Sequence, residues 1–276
     1  MHAPDAYACS HQFSGRAPRG ASPDQGTTYS DYLHLAELKA SHQPRTQERA
    51  ESRFIGLHHT AELLLGQQIE ELDLAITSLC EREPNVAAAL TCLRRSRALT
   101  EQLINLLTLL PGMISPAEFA TFRHVLGNAS GVQSAQFWVI EILSGHRETA
   151  RRRLRALDSS AEETRTLEGR LTSPNLWDAF LNVVGGSADD AAGLLNALSS
   201  GGPAAELANA LRMHDLDWVR WRAQHAIMVE AMIGAVASGT GGTNGARYLW
   251  SRVQIRFYPI LHEATSLVHQ HRAASS

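Results

Sequence analysis

The chain has 276 residues, 44% of them hydrophobic and 19% charged, with a formal net charge of −3. That length and apolar content suit one large domain or two small ones with a real core, and the near-neutral charge excludes a global basic field, so neither nucleic acid nor an anionic membrane is expected as main partner. The three cysteines, Cys9, Cys80 and Cys92, have neither CxxC spacing nor an even count, which speaks against a disulfide scaffold or a zinc site. With no hydrophobic signal core at the start and no apolar run of membrane-span length, the expected location is the cytoplasm.

Residues 1–26, rich in Gly, Pro, Ser and Ala with few large apolar groups, read as a disordered leader. Residues 27–276 read as a single all-helical domain, because helical periodicity runs through nearly every segment and alternating β-branched runs with Asn-Gly turns are missing. In chain order the spacing predicts helices over Tyr29–Ala40, Thr46–Cys80, Pro84–Leu110, Pro116–Leu126 and Val132–Leu143. Further on it predicts Glu148–Leu171, Leu176–Val183, Asp189–Leu198, Ala204–Ala235 and Gly245–His271. Pro84, Pro116 and Pro203 fall near helix starts, where a missing N–H costs nothing, and Ser115 with Glu118 three residues on has the pattern of a capping box.

Three segments carry groups with chemistry. In FIGLHHTAE, Phe54 to Glu62, adjacent histidines cannot share a helix face; Phe54, Leu57, His58, Ala61 and Leu65 do, so His58 is expected to face inward and His59 outward. Arg123 sits in an apolar helix before a Gly/Asn/Ser turn, and its fork suits either a structural Asp/Glu or a ligand carboxylate. In WVRWRAQHAIMVEAMIG, from Trp218, His225 lies in the stripe formed by Trp218, Trp221, Met228, Val229 and Met232. An inward histidine is either a hydrogen-bonded core residue or an axial metal ligand, and spacing alone favours the core.

Two other features carry less. The basic run His146, Arg147, Arg151, Arg152, Arg153 and Arg155 has Glu148, Asp158, Glu162 and Glu163 close by and reads as a salt-bridged, solvated helix. The glycine cluster Gly239–Gly245 lacks both the third glycine of a dinucleotide loop and the Gly-Lys-Ser/Thr of a P-loop, leaving a flexible lid or backbone-donor loop beside a pocket.

Taken in order, the segments TYSDYLHLAEL (Thr28–Leu38), FIGLHHTAEL (Phe54–Leu63), FRHVLGNASGVQSAQF (Phe122–Phe137) and WRAQHAIMVEAMIG followed by GTGGTNG resemble tryptophan 2,3-dioxygenases. The pattern Arg-x-x-Leu-Gly-x-x-Ser-Gly-x-Gln-Ser is intact from Arg123 to Ser134. The resemblance implies an all-α helical bundle, oligomeric and most simply a homotetramer, with heme b between helices and O₂ as co-substrate. It puts His225 at the proximal iron ligand, Phe54 and His58 beside the substrate indole with His58 taking a catalytic role, and Arg123 on the amino-acid carboxylate. Phe119 falls in the substrate pocket, Ser130 and Thr240 near the heme edge and substrate ammonium, and Tyr29, Tyr32 and Leu33 in a segment that completes a neighbouring subunit's site.

The implied activity is insertion of O₂-derived oxygen at indole C2 of L-tryptophan or a modified tryptophan such as the β-methyl derivative. Dioxygenation would give an N-formylkynurenine; mono-oxygenation, as in related natural-product enzymes, would give an oxindole. The ferrous form is the expected active state. A heme-based sensor or heme-binding protein without turnover is the alternative, and an amino-acid clamp would count against it. Where the family usually continues Gln-Thr-Ser-Glu-Leu-Trp-Met-Lys after the histidine, this chain reads His59-Thr60-Ala61-Glu62-Leu63-Leu64-Leu65-Gly66, and Phe119 stands where a tyrosine is common. These departures predict a roomier, less polar pocket around Leu64 and Phe119.

Overall fold

A computed structural model describes residues 28–154, 161–185, 194, 201–236 and 245–264. Among the described residues there are helices and turns but no strand. The chain opens with two short helices, α1 (Tyr29–Tyr32) and α2 (Leu35–Ala40), and continues into the long α3 (Arg49–Cys80) and α4 (Val86–Met113). Then come α5 (Pro116–Phe122), α6 (Ala135–Leu143), α7 (Arg147–Leu154), α8 (Ala161–Thr172) and α9 (Leu176–Val184). The long α10 (Gly202–Ile233) and α11 (Ala246–Arg252) follow, and residues 259–264 are again helical. The 1–26 leader, Thr240 and the expected Asp189–Leu198 helix lie outside the described residues, except that Leu194 is helical and buried.

Helices α3 and α10, 32 residues each, and α4, 28 residues, form the frame; a 32-residue helix is about 48 Å long. Helix α4 lies between the other two, α6 and α9 pack on α3, and α11 packs on α10. Leu72, Ala75, Ile76 and Leu79 of α3 are buried against Ala89, Leu93 and Leu103 of α4, with Leu207, Leu211 and Trp218 of α10 in the same core. Each leucine so buried contributes about 1.5 to 3 kcal/mol. Gln68 interrupts this apolar seam: its amide nitrogen donates to Thr100 Oγ1 at 2.7 Å and Ser96 Oγ at 3.0 Å, while its Oε1 is buried without a hydrogen bond to any described residue. Arg170 grips Asp73 with both guanidinium nitrogens, and Arg97 Nε donates to Asp217 at 2.7 Å.

Local signals set most boundaries. Ser115 and Glu118 form the expected capping box at α5, and Asn175 with Asp178 forms another at α9, which ends on left-handed Gly185 (φ 63°). Helix α4 runs past the end expected at Leu110, because Pro111 falls in its last turn, where a missing N–H removes only one bond. Two expected helices are broken instead. Tyr29–Ala40 splits at His34, in the left-handed region at φ 50°, and Gly245–His271 is interrupted after Arg252 and resumes at Pro259; of the expected Glu148–Leu171, α7 and α8 are helical and residues 155–160 lie outside the described residues. From the basic run, Arg147 pairs with Asp178 at 2.7 Å rather than with its own helix. No single helix among the described residues is long and apolar enough to cross a membrane; α4 with Pro116–Leu126 passes only as a pair bent by 90°.

Candidate active site

A second apolar cluster caps one end of the frame, where Ala50 of α3, Leu110 of α4 and Ile114 at its C-cap, Phe122 of α5 and Met232 of α10 meet. Beside it opens a cavity of about 310 Å³ whose walls come from α3, α4, the α5–α6 segment, α10 and α11. Six residues singled out in the sequence line it together: Phe54, His58, Phe119, Arg123, Ser130 and His225. Tyr29, Tyr32 and Leu33 do not; they sit on α1 and its C-terminal cap, 77%, 76% and 42% exposed.

Helical spacing accounts for the α3 wall. Phe54, Leu57, His58, Ala61 and Leu65 all face the cavity, whereas His59 lies in a surface groove with its ring 6.0 Å from that of His42. The His58 Nδ1 is 2.8 Å from the Phe54 carbonyl oxygen. A carbonyl can only accept, so Nδ1 carries the proton, and in the neutral ring Nε2 is left as an acceptor. Burial lowers the His58 pKa, against the opposing pull of the Phe54 carbonyl and the Glu62 carboxylate, so the neutral ring is the prevailing form. The Phe54 ring packs on this imidazole with centroids 3.9 Å apart, and Phe119 and Phe122 extend the aromatic wall at 5.8 and 5.5 Å from Phe54.

His225 belongs to the opposite wall. Its ring tilts against Trp221 with centroids 5.0 Å apart, and Trp221 stacks on Phe137 at 5.2 Å. Burial, with His58 nearby, holds its pKa down at about 4, so the ring is neutral at physiological pH. It makes no hydrogen bond with any described residue, unlike an ordinary core histidine such as His214, which meets Ser144 Oγ at 2.9 Å.

Among the described residues no group of three or more His, Cys, Asp or Glu side chains could hold a metal by itself. A single neutral imidazole facing an apolar cavity suits a metal whose other donors arrive with a prosthetic group such as a porphyrin. The residues present fit such a group.

Arg123 opens a short 3-10 turn (Arg123–Leu126) directly after α5, half-buried at the cavity wall. The chain then reverses at Gly127, whose φ of 53° with ψ of −120° is closed to residues with a side chain, and this turn leads to Ser130. Ser134 caps α6 by accepting from the Phe137 N–H at 3.2 Å.

One expectation about the pocket is corrected: Leu64 packs into the main core and is not part of the cavity wall, which takes Ala61 and Leu65 instead. The space opened at Gly66 is filled from outside by Gln136, whose Oε1 lies 2.9 Å from where a Cβ would stand. Gln136 Nε2 in turn donates to the Glu62 carboxylate at 2.7 Å and the Glu62 carbonyl at 2.9 Å. Glu62, Glu141, Arg222 and Arg252 line the cavity without having been singled out. A signal existed for two of them: Glu141 interrupts the apolar run FWVIEIL and Arg222 the stripe around Trp218 and Trp221, and a buried charge in such a run requires a partner. They are each other's partner, at 3.2 Å and with side chains 1% and 4% exposed.

Comparison with known proteins agrees with this architecture. The family model described as tryptophan 2,3-dioxygenase matches residues 14–189, ending before α10. A tryptophan 2,3-dioxygenase of a Nocardioides species is 36% identical over 249 residues, covering 85% of this chain and 92% of its own. That of Bradyrhizobium diazoefficiens is 33% identical over 270 residues, covering 89% and 95%, and that of Ruegeria pomeroyi 30% over 256 residues, covering 85% and 90%. By its helical architecture and by similarity along most of its length, the chain belongs to the tryptophan 2,3-dioxygenase family.

Proposed function

We propose that the chain is a heme-dependent tryptophan 2,3-dioxygenase, converting L-tryptophan and O₂ to N-formylkynurenine by oxygenation across the indole C2=C3 bond. The observation that carries this reading is one apolar cavity shared by a neutral histidine without a hydrogen bond, a second histidine with its acceptor nitrogen defined, and a guanidinium. His225 would hold the iron of heme b through its ring nitrogen. The chemistry that a ferrous heme held there would supply is O₂ activation.

The remaining work falls to the side chains. His58 Nε2 accepts the indole N–H, while Phe54 and Phe119 pack the ring and exclude water. Arg123 takes the α-carboxylate in a charge-assisted pair worth about 1.5 to 3 kcal/mol. Ser130, with Thr240, supplies polar contacts toward the cofactor edge and the ammonium. The exposed apolar side chains of Tyr29, Tyr32 and Leu33 suit a role in a partner's site, so we take the active form to be a homotetramer with α1 exchanged between subunits.

A β-substituted tryptophan is the second substrate reading, favoured by Phe119, which leaves no hydroxyl at that part of the wall. The deciding experiment is mass spectrometry of products from ferrous, heme-loaded protein supplied with ¹⁸O₂ and either L-tryptophan or its β-methyl analogue. Two labelled oxygens in a ring-opened product are expected. One labelled oxygen in an intact bicyclic product would mean mono-oxygenation and overturn the dioxygenase reading. Heme-loaded protein that neither turns tryptophan over nor changes its heme spectrum on adding it would favour the sensor or heme-binding reading, whereas a tight, saturable tryptophan perturbation of the spectrum counts against it. Arg123→Ala is expected to weaken tryptophan binding by about tenfold to a hundredfold.

A further inference from the structure

We propose that Arg45 is a positioning residue for Arg123: seated by Glu51, it braces the turn that carries the guanidinium assigned above to the substrate carboxylate, and the proposal rests on that assignment. Arg45 lies in the loop between α2 and α3 and is exposed. Its Nη1 donates to the Val125 carbonyl at 3.3 Å, across 80 residues of chain. Arg45 is not part of the cavity wall, so whatever it contributes to the site passes through that turn.

The near end of the brace is set by Glu51, in the first turn of α3 and 3% exposed. Its Oε1 accepts from the Arg45 N–H at 2.9 Å, and its Oε2 from the Thr46 N–H at 2.7 Å and from Thr46 Oγ1 at 2.6 Å. A carboxylate in the first turn commonly bonds the cap of its own helix. This one reaches further back and commits both oxygens to two consecutive residues of the loop. His42 Nε2, 2.8 Å from Ser52 Oγ, ties the same loop to the next residue of α3. The backbone from which the Arg45 side chain departs is thereby fixed.

The far end is the 3-10 turn Arg123–Leu126. So short a turn has few internal bonds, and the carbonyls at its end have no partner within it, so a donor from outside decides how firmly it is held. The Val125 side chain packs in the apolar cluster that includes Phe54 and Phe119. Val125 is thus held through its side chain by packing and through its carbonyl by Arg45, and Arg123, two residues earlier in the same turn, is kept at the cavity wall. Loss of one hydrogen bond of this kind corresponds to about three- to tenfold in an affinity that depends on where the turn sits.

The test is isothermal titration calorimetry of heme-loaded ferric protein with L-tryptophan and with tryptamine, which keeps the indole and the ammonium but has no carboxylate. Arg45→Met is expected to weaken tryptophan by about three- to tenfold and to leave tryptamine unchanged. In an Arg123→Ala background the same substitution is expected to have no further effect, because the group it positions is gone. Arg45→Lys, which keeps a donor, is expected to recover part of the affinity, and in turnover the loss is expected in KM rather than in kcat. Glu51→Gln, which turns an amide N–H toward donors that need an acceptor, is expected to give the same selective loss by a second route. The proposal is overturned if either Arg45→Met or Glu51→Gln binds tryptophan like wild type, if tryptophan and tryptamine weaken alike, if the Arg45 and Arg123 effects add, or if lysine does no better than methionine. Each of those results leaves the clamp assignment standing as long as Arg123→Ala alone weakens tryptophan; if it does not, the assignment falls and this proposal with it. Far-UV circular dichroism and thermal unfolding of each variant separate loss of fold from loss of the brace.

Discussion

His214 offers a quantitative test of how α10, the helix carrying His225, is held in place. Its side chain is 0% exposed, its Nε2 lies 2.9 Å from Ser144 Oγ, and its ring stacks on Phe257 at 5.9 Å. Burial, then the charges of Arg222 and Arg97, push its pKa from 6.5 down to about 3. The folded state therefore refuses a proton that the unfolded chain accepts below pH 6.5, and stability must fall as pH drops from 6.5 toward about 3. The slope approaches about 1.4 kcal/mol per pH unit, giving a loss of about 1.4 kcal/mol one unit below the unfolded pKa and about 2.7 kcal/mol two units below it. Urea unfolding of wild type and His214→Gln across that range isolates the effect, because all other titrations are common to both. Glutamine can still bond Ser144 but does not titrate. Wild type is expected to be the more stable at neutral pH, with the gap narrowing on acidification by these amounts. A gap independent of pH would refute the reasoning and mean that His214 takes up a proton in the folded chain.

Two further outcomes follow from side chains behind the cavity wall. Glu141→Ala leaves the Arg222 guanidinium, 4% exposed, without its carboxylate; urea unfolding is expected to show a loss of about 3 to 5 kcal/mol, and less for Glu141→Gln, which keeps an acceptor. Burial raises the Glu141 pKa, but His146, Arg222 and Arg252 outweigh it and leave it below 4.5, so the advantage of wild type over the glutamine variant is full above pH 4.5 and shrinks as pH falls further. Gly66→Ala is expected to change sign with background: neutral or destabilising in wild type, where Gln136 Oε1 stands 2.9 Å from the new Cβ, and stabilising by about 0.5 to 1 kcal/mol in a Gln136→Ala background, where helix propensity alone acts. Thermal unfolding of the four proteins in that cycle measures it.

The long helices were legible because their cores obey one period for many turns. The end of α3 at Cys80 and the capping box at Ser115 and Glu118 were readable from a few neighbouring residues. The breaks that the sequence concealed are of another kind. Nothing local demands a left-handed residue at His34, and the periodic pattern runs across Arg252 to Pro259 although the helix does not. At the site, spacing alone separated His58 from His59, and Phe54, His58, Ala61 and Leu65 do share a wall. It misjudged Leu64, which lies one residue off that face and packs in the core. The Glu141–Arg222 pair was not legible because its halves stand 81 residues apart, and only packing of α6 on α10 makes them partners.

The two cavity histidines show why residue type and period alone leave a role open. Both are neutral, and for the same first reason: burial disfavours the imidazolium. Their difference lies in one hydrogen bond. His58 commits Nδ1 to the carbonyl one turn back, which fixes the tautomer and presents Nε2 as an acceptor of defined direction. His225 has no such commitment among the described residues, so its ring is oriented by packing against Trp221 and keeps a lone pair for a metal. The helix stripe around each histidine looks alike in sequence, and the carbonyl contact that separates them is a property of side-chain rotamer. On the proposed reading, an acceptor for a substrate N–H and a donor to iron are made from the same side chain on two helices. The distinction arises from which neighbour the ring touches, and that is fixed only when α3 and α10 close on the cavity from opposite sides.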